Sequence, residues 1–155
     1  MSRESRIDRA RRRFGQAAVA VVVLTALAPL RAWAARNNAA FDTKVLEEGV
    51  AAIGADAAVE TDQILFKSPD IAENGAIVHL EIRSLLPDTR TIWLFAEKNP
   101  QPLVAQFDLL PGLEPFVAVR IKMADSAFLR VVVKAADRFY YVRRETKVTI
   151  GGCAG

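Results

Sequence analysis

From Gln63 onward the apolar residues tend to return at every second position, a period that fits a strand and not a helix. β-Branched and aromatic residues dominate these stretches, which fall at 63–67, 76–84, 91–97, 103–109, 116–123, 128–135 and 139–150. Turn chemistry separates them: Ser68-Pro69-Asp70, Glu73-Asn74-Gly75, Leu86-Pro87-Asp88, Lys98-Asn99-Pro100, Pro111-Gly112, Ala124-Asp125-Ser126 and Ala136-Asp137-Arg138. Seven short strands at regular spacing predict a mainly β chain folded as an immunoglobulin-like antiparallel β-sandwich.

Before the strands the period changes. Phe41, Val45, Leu46, Val50 and Ile53 recur at helical spacing, Asn38 or Asp42 can cap the start, and Gly54 suits the end, so one amphipathic helix is expected over 38–55.

The first 34 residues belong to export, not to the fold. Arg11-Arg12-Arg13-Phe14 closes a basic region, an apolar run of fourteen residues extends from Ala17 to Leu30, and Ala32-Trp33-Ala34 has the small-x-small form that signal peptidase accepts. The run is short of the roughly 20 residues that a membrane-spanning helix needs. Arg-Arg-x-Phe fits the twin-arginine pattern, and Arg31 near the cleavage point disfavours the general secretory route, which is the alternative. Both routes lead out of the cytoplasm, and the periplasm is the expected location.

Cleavage after Ala34 leaves 121 of the 155 residues, enough for one domain with one core. The leader holds seven of the 21 basic and two of the 18 acidic residues, so the remainder carries 14 against 16, a net charge of −2. The basic character of the whole chain thus resides in the leader, and no basic patch argues for nucleic acid or an anionic membrane. The organisation read from the sequence is a signal peptide of twin-arginine type over 1–34, a helix plus β-sandwich domain over 35–150 and a flexible C-terminal arm over 151–155.

That arm holds the single cysteine, Cys153, within Gly151-Gly152-Cys153-Ala154-Gly155. Glycines free the backbone on the near side, and three residues beyond Ile150 extend on the order of 10 Å. A lone thiol in an oxidising compartment has no internal partner for a disulfide. It also lacks an activating base, because the one histidine, His79, sits inside a predicted strand where a surface or cross-strand role is expected. No carboxylate pair, metal-ligand cluster or phosphate loop is present, so neither an intrinsic active site nor a cofactor is expected. Prenylation requires three residues after the cysteine and finds two. A thiol on a narrow tether fits a swinging arm received by the active sites of other proteins, and it also fits an intermolecular disulfide.

Three stretches carry a family resemblance: Pro69 to Ala76 (PDIAENGA), Phe95 to Pro100 (FAEKNP) and Lys147 to Cys153 (KVTIGGC). With the leader, the helix and the strands, they make the chain resemble SoxY, the sulfur-carrier subunit of the periplasmic sulfur-oxidising Sox system. The family ends in Gly-Gly-Cys-Gly-Gly, and Ala154 departs from it. The resemblance implies a heterodimer with SoxZ, covalent attachment of sulfur to Cys153, joining of thiosulfate by the haem protein SoxAX, removal of sulfate by the manganese hydrolase SoxB, and in some organisms oxidation by the sulfane dehydrogenase SoxCD. On that reading the chain is no enzyme but the substrate of its partners. The competing reading is a β-sandwich interaction module, or a SoxY-like paralogue, whose Cys153 only forms an intermolecular disulfide. Glu73-Asn74-Gly75 is expected to serve as a tight turn, and the stretch from Phe95 to Pro100 either as partner interface or as core with a solvated edge.

Overall fold

Strand β5, Thr89–Ala96, contains Ile92-Trp93-Leu94-Phe95, four consecutive large apolar residues that are all buried. A strand can bury both of its faces only if both are covered, and this requirement organises the domain. The computed structural model describes residues 37–149. The leader at 1–34 and the arm at 151–155 lie outside the described residues.

All seven predicted strands are present, with every end within two residues of expectation: β2 Ile64–Lys67, β4 Val78–Ser84, β5, β6 Leu103–Asp108, β7 Phe116–Ile121, β8 Ala127–Ala135 and β9 Arg138–Val148. Two further strands of two residues each, β1 Val59–Glu60 and β3 Ile71–Ala72, are too short to show a period. Both pair with β9 in parallel, so the sandwich is not wholly antiparallel. The larger sheet runs β1-β9-β8-β5-β6 with β3 also on β9, and the smaller runs β2-β4-β7.

The two sheets enclose the main core. Ile64, Phe66, Val78, Leu80, Ile82 and Ile121 of the smaller sheet meet Ile92, Leu94, Leu129, Val131 and Val133 of the larger. Along one flank the layers are also tied by Arg144, whose Nη1 donates to the Phe66 carbonyl at 3.1 Å.

The opposite face of the larger sheet turns Trp93, Phe95, Leu103 and Val132 toward a second core, closed by Ala40, Leu46, Val50 and Ala55. The helical segment is therefore a third layer. It covers the face that a two-layer sandwich would leave wet, and it explains the unbroken apolar run of β5.

The expected helix over 38–55 is divided in two, α1 Asn38–Asp42 and α2 Leu46–Ala52. Thr43 and Val45 between them are extended. Both are β-branched and lose side-chain freedom in a helix, and the Thr43 hydroxyl donates to the Ala40 carbonyl at 3.1 Å. The cap of α1 is Asn37, whose Oδ1 accepts from the Ala40 amide at 3.2 Å. α2 ends where the sequence suggests. Gly54 adopts φ 75°, and the bonds Gly54 N to Ala51 O and Ala55 N to Val50 O close a Schellman motif.

Phe95 is fully buried beneath these helices, with Gly49 of α2 so near its ring that an added Cβ would lie 3.1 Å from Cε1. Phe95→Ala should cost about 3–5 kcal/mol in a urea unfolding titration. A loss below about 1 kcal/mol would mean that the helical layer does not seal this face.

Candidate functional site

β9 leads to the C-terminal segment, so whatever grips its last residues determines where that segment begins. β8 pairs with β9 as far as Ala127 opposite Thr146, and there the antiparallel ladder stops. On that edge the next partner is a side chain. Ser126 Oγ accepts from the Val148 amide at 2.8 Å and donates to the Val148 carbonyl at 3.3 Å, taking both bonds that a continuing strand would have made. On the other edge β3 takes over, with Lys147 N donating to Asp70 O at 2.9 Å and Thr149 N to Ala72 O at 3.0 Å.

Two more segments converge on this point. In the turn before β4, Asn74 Oδ1 accepts from Ala76 N at 2.8 Å, and Gly75 O accepts from Met123 N at 2.7 Å. A Cβ on Gly75 would lie 2.6 Å from the Met123 carbonyl oxygen and 2.9 Å from Val148 Cγ1, so glycine is required here by close approach. Beyond β5, Asn99 Nδ2 donates to Lys122 O and its Oδ1 accepts from Ala124 N, both at 2.8 Å. Lys98 Nζ reaches Asp125 Oδ2 at 3.6 Å, an exposed pair of small energetic weight. Stretches 69–76 and 147–149 thus pair directly at the end of β9, and 95–100 joins them through the 122–126 loop.

A groove of about 400 Å³ opens beside the end of β9, lined by Lys67, Ser68, Pro69, Ala72, Ile77, Val78, His79 and Glu81. Ala72 belongs both to its wall and to the bond that holds Thr149. Its Ala72 and Val78 side are buried and apolar, while Lys67 and Glu81 pair at 3.2 Å in solvent.

His79 is exposed on β4 with Arg120 of β7 as its cross-strand partner, the surface role expected of it. Phe95 and Ala96 are core, and Lys98 and Asn99 brace the loop after β7. Among the described residues no group of three or more metal-ligating side chains gathers, and no helix is long and apolar enough to cross a membrane. Gly151, Gly152, Cys153, Ala154 and Gly155 lie outside the described residues. Ser126 was not singled out from the sequence, where it reads only as part of a turn.

Residues 50–153 match the family described as "Sulfur oxidation protein SoxY". The chain belongs to the SoxY family. It is similar to the solved sulfur carrier protein SoxY from Chlorobium limicola f thiosulfatophilum, at 39% identity over 65% of this chain and 94% of that one, with a TM-score of 0.58. Two variants of the superoxide reductase (neelaredoxin) from Ignicoccus hospitalis share the fold alone. They are 17% and 22% identical, cover 56% and 64% of this chain and 80% and 87% of theirs, and each has a TM-score of 0.51. No curated protein matches this chain. The family match extends through Cys153, so the residues at the end of β9 and the cysteine beyond them fall within one matched SoxY segment.

Gly75→Ala forces the turn away from Met123 and Val148 and should destabilise the domain by about 1–3 kcal/mol in chemical denaturation. Faster amide exchange at Met123 should accompany it, since its amide bonds to Gly75. An unchanged unfolding midpoint would show that the root tolerates a wider turn.

Proposed function

We propose that this SoxY-family chain is a covalent sulfur carrier that holds sulfur intermediates on Cys153 and presents them to partner enzymes. The observation that carries the reading is that stretches 69–76 and, through the 122–126 loop, 95–100 hold the end of β9, the strand that leads to the only cysteine. A domain that braces the base of a glycine-rich tail from both edges suits a tail that must be delivered to other proteins.

The chemistry follows from a thiol without a base of its own. Joining thiosulfate to Cys153 forms one S–S bond, releases the thiol proton and passes two electrons to an oxidising partner. Hydrolysis of the outer sulfur–sulfur bond then transfers the sulfonate to water as sulfate and leaves sulfane sulfur on Cys153, with no net redox change. Each step needs machinery on the partner, either an electron acceptor or an activated water. Gly151, Gly152 and Gly155, together with the small Ala154, keep the tip narrow enough to enter such sites. With only one cysteine in the chain, no neighbouring thiol attacks the bound sulfur. The groove beside the end of β9 offers apolar surface, where a sulfur adduct that reached it would be less exposed to water and to thiols.

Export by the twin-arginine leader places the carrier in the periplasm, with SoxZ as its partner subunit and SoxAX, SoxB and, where present, SoxCD as transient partners. The chain itself performs no catalysis.

Cys153→Ser should abolish thiosulfate-dependent turnover by the reconstituted system while leaving the circular dichroism spectrum and unfolding midpoint unchanged. Turnover at the wild-type rate would refute the carrier role and leave a module whose cysteine serves only in disulfides.

A further inference from the structure

Where β8 ends, β9 still has residues to hold, and one hydroxyl does so. Ser126 is half-buried, and its Oγ is both acceptor for the Val148 amide and donor to the Val148 carbonyl. A hydroxyl oxygen is donor and acceptor in one atom, which suits Ser or Thr at this short reach. The loop that carries Ser126 is itself fixed. Asn99 spans it with one bond to Lys122 O and one from Ala124 N, and Asp125 Oδ1 accepts from the Ser126 amide at 2.6 Å. The short loop 122–126 is thus held by Asn99 at one end and holds the last residues of β9 through Ser126 at the other.

We propose that Ser126, seated by Asn99, is a positioning residue for Cys153 that sets where the swinging arm starts and so how far it reaches. The proposal rests on the carrier reading above and adds to it a control over the arm. Cys153 lies four residues past Thr149. If the Ser126 grip is lost, Val148 loses both hydrogen bonds on that edge, and the end of β9 is left to its parallel pairing with the two-residue strand β3 on the other. Fraying back to Thr146 makes the tether seven residues long, because it adds 147–149 to the four. A longer flexible tether dilutes the thiol at a docked partner's active site roughly as the −3/2 power of its length, about twofold for this change before any misorientation is counted. The effect falls on encounter with the enzyme and not on the chemical step.

The test uses the full-length exported carrier with whatever subunit co-purifies, thiosulfate, and the thiosulfate-joining partner enzyme. Ser126→Ala should raise KM for the carrier about two- to fivefold with kcat unchanged, and speed hydrogen exchange at the Val148 amide about tenfold or more. The unfolding midpoint and the rate of Cys153 alkylation by iodoacetamide, which needs no positioning, should stay at wild-type values. Ser126→Thr should restore both KM and exchange, and Asn99→Ala should speed the same exchange through the loop. A KM unchanged in Ser126→Ala, or Ser126→Thr as impaired as Ser126→Ala, overturns the positioning role. If the wild-type chain takes up no sulfur, the carrier reading falls, and the exchange measurement still decides whether Ser126 fixes the root.

Discussion

The eleven-residue strand β9 is gripped along one edge by nine registered pairs with β8 and along the other by two separate two-residue strands, β1 near its start and β3 at its end. Everything else in the domain can be traced to that arrangement. β8 must be central to hold β9, so it is paired on both sides, with β5 as its other neighbour. β5 in turn buries both faces, which requires the smaller sheet on one side and the helical layer on the other. The hydrophobic contacts supply the bulk of the stability, while the hydrogen bonds at the end of β9 determine where a particular residue emerges.

This division suits the proposed carrier, whose chemistry would be supplied by its partners. A carrier gains nothing from an internal catalytic pocket, and its demands are two: a body stiff enough to be recognised and a tether that starts from a fixed point. The contacts at the end of β9 meet the second demand through atoms, not bulk. Gly75 fits because it has no side chain, Asn99 because its amide offers a donor and an acceptor, and Ser126 because its hydroxyl offers both in one atom. Conservative replacement at these positions alters geometry more than it alters hydrophobicity.

Much of this was legible in the sequence. The period of two and the β-branched and aromatic composition located the seven longer strands, since a strand of about four residues or more is long enough to show them. β1 and β3 leave no such mark at two residues each, and their parallel pairing depends on where β9 passes in space. The division of the helix lay hidden behind a continuous apolar spacing, because Val45 counts toward that spacing yet ends up about half exposed, at 47%. The run from Ile92 to Phe95 did signal a sheet covered on both faces, a hint that alternation elsewhere obscured. At the site, the lone cysteine and its glycines were readable from composition alone. Ser126 was not, for a serine in a turn is common, and its importance arises from the place where β8 stops.

The most direct measurement is the intact mass of the mature protein purified from thiosulfate-grown cells, before and after reduction, with the C-terminal peptide sequenced. A sulfur carrier should show reducible additions of sulfane, sulfonate or thiosulfate confined to Cys153. A bare thiol, or a cross-linked dimer without such additions, would contradict that role.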